Sequence, residues 1–320
     1  MVDVLSLGEL LIDFVPTVSG VTLIEAPAFV KAPGGAPANV AVGLAKLGVS
    51  SGFLGKVGDD PFGRFLAATL AAEGVDTSAL LFSREARTML AFVSLTATGE
   101  RDFMFYRHPS ADMLYRPEEV PEALVRGARA LHFGSISLID EPCRSATLRA
   151  VHLAREAGSL VSYDPNLRVA LWPSPEAARA KILEAWPLAD VIKISEDELT
   201  FLTGVSDLAT GAGRLLAPHQ RLLVITRGAG GCYFRTPDFD GEVPGFAVHA
   251  VDSTGAGDGF VSGLLRGLLR VPDAPRDRVL LEEICRYANA VGAITTTTRG
   301  AIPALPKAAA VEAFLRDHGG

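Results

Sequence analysis

FLGKVGDDPFGRFLAATLAAEG, Phe53 to Gly74, contains the unit from which the chain is built. Phe53–Val57 is an apolar run of strand length. Asp60–Glu73 is a helix pattern opened by an Asp-Pro pair and stopped at Gly74, so the stretch reads as one strand and one helix. The unit recurs on both sides. Upstream, Val2–Leu7 reads as a strand and Ala38–Leu47 as a helix with Val40, Leu44 and Leu47 on its apolar side and Gly48 as its C-cap. Downstream, strands Ala130–Phe133, Leu160–Tyr163 and Val191–Ile194 are followed by helices Pro142–Ala157, Pro175–Ala185 and Glu196–Thr203, and Leu222–Thr226 follows the helix-like Ala209–Leu216. This alternation predicts an α/β fold with a doubly wound, mostly parallel central sheet flanked by helices.

Two stretches break the rhythm, at about 9–33 and 87–114. The second carries strand-like alternation at Met89–Leu95 and Asp102–Tyr106 around the turn Ala97-Thr98-Gly99-Glu100. Residues 1–320 are expected to form one domain, with these stretches as a small antiparallel sheet leaving the main body. Open α/β sheets bind ligands at their strand ends, where such a sheet would serve as a lid.

Composition narrows the function classes. The 320 residues are 48% hydrophobic, and 30 Lys and Arg against 37 Asp and Glu give a net charge of −7 with no basic run, which argues against a nucleic-acid groove. The start, MVDVLSLGELLIDFV, carries Asp3, Glu9 and Asp13 within its apolar pattern and has no basic leader. No stretch reaches the roughly 18 uncharged apolar residues of a membrane span. Cys143, Cys232 and Cys285 form neither a metal spacing nor a disulfide framework, so a cytoplasmic protein is expected.

VDSTGAGDGFVSG, Val251–Gly263, is the segment most suggestive of chemistry. Gly255, Ala256 and Gly257 gather bare backbone N–H groups at a helix N-terminus, an anion site by geometry and by dipole. Asp258 follows at once. It reads either as an acid stabilising the helix start or as a general base taking a proton from an attacking hydroxyl. In KAPGGAPANVAVGLAKLG, Lys31–Gly48, the Gly34-Gly35 pair and Asn39 read either as a turn before a helix or as a loop holding a polyhydroxylated ligand.

Together, Gly34-Gly35-Ala36-Pro37-Ala38-Asn39 with Gly43 and Gly48, and Asp252-Ser253-Thr254-Gly255-Ala256-Gly257-Asp258 about 220 residues later, resemble the motifs of the ribokinase-like (PfkB-type) sugar kinases. The likeness spans essentially the whole chain. YRHPSADMLY (106–115), HFGSISLIDEPCR (132–144), SYDPNLRVALWP (162–173) and DVIKISEDELTFLTG (190–204) look most similar to the fructokinases of that family. The resemblance implies ATP-dependent phosphorylation of a sugar hydroxyl with Mg²⁺, a core α/β domain and a β-sheet lid.

Carried over residue by residue, it makes Asp258 the catalytic base and Gly255, Ala256 and Gly257 the anion hole. Asp13, Gly34, Gly35 and Asn39 become sugar contacts, Asp13 having a turn aspartate as its rival reading. Arg107 and Arg168 are further substrate candidates, against a solvated lid arginine and a surface ion-pair partner respectively. Asn166, Lys193, Ser195, Thr226, Gly228, Gly230 and Asn289 fall on the ATP side, where Lys193 also reads as a snorkelling strand-end residue and Thr226–Gly231 as a hairpin turn. Ser195-Glu196-Asp197-Glu198 is a capping box as it stands. The family usually has asparagine where Ser195 stands, and Glu198 matches the glutamate that acts on Mg²⁺ through water. Asp252 and Thr254, with Thr295–Gly300, match a monovalent-cation site such as K⁺ would occupy; the rival is a tight turn against a Thr-rich strand.

The expected activity is that of a fructokinase. 2-Keto-3-deoxygluconate kinase and ribokinase are the alternatives on the same scaffold, and a non-catalytic sugar- or nucleotide-binding regulatory protein is the alternative from another class. Apolar outer faces on the lid strands permit a homodimer through the lid.

Overall fold

The computed structural model describes residues 2–18, 20–95 and 101–318. The first part of the chain forms β1 (Val4–Leu7), β2 (Leu11–Pro16), β3 (Phe29–Gly34), α1 (Ala36–Lys46), β4 (Ser51–Gly58), α2 (Pro61–Ala72), β5 (Leu80–Ser83), β6 (Leu90–Leu95), β7 (Arg101–Tyr106) and α3 (Glu122–Gly127). Next come β8 (Ala130–Phe133), α4 (Cys143–Glu156), β9 (Leu160–Tyr163), α5 (Pro175–Ala185), β10 (Val191–Ser195), α6 (Glu196–Thr203) and α7 (Leu208–Leu215). The last part adds β11 (Leu222–Thr226), β12 (Cys232–Arg235), β13 (Asp240–Val243), α8 (Ala256–Arg270), α9 (Arg278–Thr295) and α10 (Ala308–Asp317).

The larger sheet has the order β13-β12-β11-β10-β9-β8-β1-β4-β5 and is parallel except at its β11–β12–β13 edge. From β1 the chain builds outward to β4 and β5, then crosses to build β8 through β11 on the other side. The loops leaving β1 and β8 therefore diverge, opening the crevice in which such sheets bind ligands. Both faces of the sheet are covered. Val4 packs with Val40 and Leu44 of α1 and with Val261 and Leu265 of α8, while its neighbour Leu5 joins the core on the other face with Ala146 and Ala150 of α4. Burial on two sides explains why these strands are apolar without alternation.

Helices α1 and α8 run side by side in the same direction. A Cβ at Gly43 would stand 2.2 Å from Ser262 Oγ, and the single Ser262 hydroxyl hydrogen is shared between the Asp258 carbonyl at 2.8 Å and the Val40 carbonyl at 3.2 Å. One end of the pair is fixed by Arg266, which donates to Leu47 O. The two N-termini are thereby brought together at the crevice. Helix α1 begins at Ala36, two residues before the expected start, because Pro37 lacks an N–H that the first turn would leave unbonded in any case.

The second sheet has the order β3-β2-β6-β7. Its two hairpins are antiparallel, but β2 and β6, which join them, run parallel, so the sheet is mixed and not antiparallel as expected. The reason is topological. β2 leaves the end of β1 and β6 follows β5, and β1 and β5 belong to the same parallel array, so both outbound strands leave its end in one direction. The Ala97–Glu100 turn lies outside the described residues. Among those described, no helix is long and apolar enough to cross a membrane.

Candidate active site

At the start of α8, Gly255 has φ 80°, a conformation that suits glycine, and a Cβ there would stand 2.7 Å from that of Ala301. The chain turns sharply into the helix, with Asp258 in its first turn. The Ala256 N–H is drawn back onto the Ser253 carbonyl at 3.3 Å, so the expected trio of free amides is not equivalent. Among the described residues, the Gly257 N–H meets no acceptor, and the aligned peptide dipoles of α1 and α8 both place their positive ends here.

Asp258 is buried, 7% exposed, and its Oδ2 accepts from Asn39 Nδ2 at 2.8 Å. The two glycine-rich motifs thus meet through a hydrogen bond between two side chains. Burial raises the Asp258 carboxyl to about 6, with Asp164 adding to the rise, while the Asn39 bond and the Lys193 and Arg168 charges oppose it. The other end of the Asn39 amide, Oδ1, is buried without a partner.

Asp13 lies within β2, paired with Ala32 and Ala91, and is therefore a strand residue and not a turn aspartate. A Cβ at Gly34 would stand 2.1 Å from Asp13 Oδ2, and one at Gly35, where φ is 110°, only 2.4 Å from the Glu9 carbonyl oxygen. Both glycines thus permit backbone approach. Burial raises Asp13 to about 7; Arg168 lowers it, and Asp258 and Asp252 raise it, which places these groups in one electrostatic neighbourhood.

Beside this centre is a cleft of about 440 Å³ lined by Asn166, Arg168, Lys193, Ser195 and Glu198 among others. Lys193 does not snorkel. It is 8% exposed and donates to Asp164 Oδ2 at 3.0 Å, and a Cβ at Gly257 would come within 2.9 Å of its ammonium. Burial alone would lower its pKa, but Asp164 and Glu198 together hold it above the usual value. Asn166 adopts φ 45°, with its N–H on Asp164 Oδ1. Among the described residues Arg168 makes no ion pair; its guanidinium donates to the adjacent Leu167 carbonyl.

Ser195 and Glu198 form the capping box in full, and the second Glu198 oxygen accepts from the Leu167 N–H at 2.7 Å. This carboxylate therefore ties the loop after β9 to the start of α6. Thr226 closes β11 with its hydroxyl on the Ile194 carbonyl, and Gly228–Gly230 form an exposed turn into β12, as a hairpin requires. That turn packs on the 243–245 segment, where a Cβ at Gly245 would meet the Ala229 carbonyl oxygen at 2.3 Å. Asn289 holds the same segment by donating to the Val243 and Pro244 carbonyls.

Asp252 Oδ1 accepts from the Thr254 N–H and hydroxyl, and its Oδ2 accepts from the Gly300 N–H, so the two halves of the suggested cation site are adjacent. The second half is no strand. Thr295 ends α9 with its hydroxyl turned back onto the Val291 carbonyl, and a turn follows. Arg107 is corrected as well. At 1% exposure it is not the solvated lid arginine of the rival reading, because its guanidinium is bound to Asp112, Asp140 and the Ile136 carbonyl.

Sequence reasoning missed two acids here, Asp164 and Glu9. Asp164 follows β9 directly before a proline, a strand-end signal. Glu9 follows β1 by two residues and lies in an apolar stretch, where a 3%-exposed carboxylate could be suspected only from its cost.

Residues 1–308 match the family model of the pfkB family carbohydrate kinases. Fructokinase-1 of Oryza sativa subsp. japonica is 57% identical over 304 residues, which cover 95% of this chain and 94% of the rice protein. Among solved structures, the fructokinase from Xylella fastidiosa with bound ATP gives a TM-score of 0.91 at 36% identity, covering 99% of each chain. A double mutant of the fructokinase from Vibrio cholerae O395, in a form bound to fructose, ADP and potassium ion, gives 0.88 at 41% identity over 98% of each. The chain belongs to the pfkB family of carbohydrate kinases.

Proposed function

We propose that this kinase transfers the γ-phosphoryl group of ATP to D-fructose, giving fructose 6-phosphate and ADP. The observation that carries this reading is the buried Asn39–Asp258 hydrogen bond at the paired helix N-termini, in a chain 57% identical to a fructokinase over nearly its whole length. With its carboxyl near 6, Asp258 is mostly ionised at neutral pH yet basic enough to accept the proton of the sugar's primary hydroxyl. The freed oxygen attacks the γ-phosphorus in line, the bond to the ADP oxygen breaks, and the proton remains on Asp258. The Gly255–Gly257 turn and the α8 dipole face the charge on the moving group.

Asp13, Gly34, Gly35 and Asn39 hold the sugar hydroxyls, the carboxylate accepting and the amide able to do both. Arg168 stands between sugar and phosphate. Asn166, Lys193, Ser195, Thr226, Gly228, Gly230 and Asn289 line or support the nucleotide side, the last four by shaping backbone. Mg²⁺ would neutralise phosphate charge, held mainly by phosphate oxygens and water. Glu198 fits a water-mediated part, since each of its oxygens already takes a backbone N–H and retains a lone pair. The junction of Asp252 and Thr254 with 296–300 fits a monovalent cation such as K⁺.

The β2–β3–β6–β7 sheet serves as the lid, and its exposed Val30, Met104 and Tyr106 support a homodimer through it. Three buried, unpaired cysteines suit the cytoplasm. The test is ADP release with ATP and Mg²⁺ on fructose, 2-keto-3-deoxygluconate, ribose and adenosine, run beside Asp258→Asn. Turnover preferring fructose and lost in the variant is expected. Preference for another acceptor would overturn the substrate, and ATP binding without turnover would favour the regulatory alternative.

A further inference from the structure

Helix α1 has no side-chain cap of its own, because its N-cap is Gly35. The cap comes from 27 residues earlier in the chain, where Glu9 Oε1 accepts the Ala36 N–H at 3.0 Å. The Glu9 backbone also bears on the same loop, its carbonyl oxygen being what a Cβ at Gly35 would strike at 2.4 Å. Residue 9 therefore holds Gly35 and Ala36 by both main chain and side chain. One turn further along α1, Asn39 reaches Asp258.

A second buried group acts on Glu9 through its charge. Arg107, just past the end of β7, donates to Asp112 Oδ2 at 3.0 Å, and both charges act on the Glu9 carboxyl, Asp112 raising and Arg107 lowering its pKa. Burial is the larger influence and takes that carboxyl to about 7. Glu9 Oε2 is buried without a partner. A carboxylate kept buried at such cost calls for a function.

We propose that Glu9 is a positioning residue: it holds the start of α1 so that Asn39 meets Asp258. This rests on the kinase reading above. Glu9 touches neither sugar nor phosphate in this scheme and acts through Ala36 and Asn39.

The test compares Glu9→Ala, Glu9→Asp and Glu9→Gln in the full chain. Glu9→Ala removes the cap, and Glu9→Asp keeps a charge but withdraws it from Ala36. Glu9→Gln retains an oxygen for the Ala36 N–H. Hydrogen exchange of residues 34–40 is expected to quicken roughly tenfold in Glu9→Ala, the scale of one lost hydrogen bond. The Asp258 carboxyl, followed by carbon NMR, should titrate above its wild-type value because the Asn39 bond that lowers it is loosened. The acid limb of kcat/KM for fructose should move the same way and kcat fall by ~10²-fold, with KM for ATP unchanged. Glu9→Gln should restore protection and most of kcat. If Glu9→Ala does not fold, Glu9→Asp carries the same expectations at smaller size. An unchanged Asp258 titration in Glu9→Ala or Glu9→Asp, or a Glu9→Gln protein as impaired as Glu9→Ala, overturns the proposal. If the wild type does not phosphorylate fructose, the function reading fails while exchange and titration still decide the role of Glu9.

Discussion

At the paired starts of α1 and α8, polar atoms are left uncommitted. Asn39 gives one hydrogen to Asp258 and keeps a buried Oδ1 without a partner, and Asp258 and Asp13 have carboxyls raised to about 6 and about 7. Along the neighbouring cleft the opposite holds. Both Glu198 oxygens accept backbone N–H groups, Asp164 binds both Lys193 and the Asn166 N–H, and Ser195 closes its capping box. The difference separates two kinds of buried polar residue. Groups whose bonding capacity is open and whose protonation is displaced are suited to meet a ligand, whereas groups that satisfy one another hold the shape around it.

Substitution can break this contrast. The largest effect should come from Asp258→Asn, which is expected to lower kcat by ~10²–10⁴-fold, the range for a general base. Its urea midpoint should hold or rise, because the change removes a carboxyl whose ionisation burial disfavours. A strong loss of stability would place Asp258 with the shape-holding group. Lys193→Met should differ by costing stability. With Asp164 only 3% exposed and left unpaired, unfolding free energy should drop by about 3–5 kcal/mol in a denaturant titration. Unchanged stability would show that the pair does not brace the cleft.

A pH series sharpens the same distinction. Folding raises Asp13 from 3.8 to about 7, Glu9 from 4.5 to about 7 and Asp258 from 3.8 to about 6. Across that window the folded chain binds more protons than the unfolded one, so these groups make stability fall as pH rises from about 4 to about 7. Urea unfolding of the ligand-free protein should show a shallower decline in Asp13→Asn than in the wild type. Equal slopes would mean that Asp13 is not perturbed. The smallest effect belongs to Ser195→Ala, expected to cost about 0.5–2 kcal/mol through the lost cap, with kcat for fructose near the wild-type value.

Much of the scaffold was legible from local pattern. Ala130–Phe133, Leu160–Tyr163, Pro175–Ala185, Glu196–Thr203 and Leu222–Thr226 have the bounds their periodicity implies, since each is a short segment whose apolar spacing and stop signals agree. The charged side chains were harder to read. Arg107 appears in sequence as a lid arginine and Lys193 as a strand-end lysine; in the fold each is buried against a carboxylate, Asp112 and Asp164 respectively. A long cation beside apolar residues has the same local signature whether it reaches water or a buried acid, and only the partner's position decides.

The sequence by itself determined the alternating strand–helix architecture and the composition of the two glycine-rich motifs, because hydrophobic period, helix-stop residues and runs of small residues act over a few positions. The tertiary structure decided that β2 and β6 run parallel, that Asn39 meets Asp258 across 219 residues and that Glu9 caps α1. These follow from where β1 sits in the sheet and how α1 packs on α8. Such contacts are set by burial summed over the whole core, and no local window contains it.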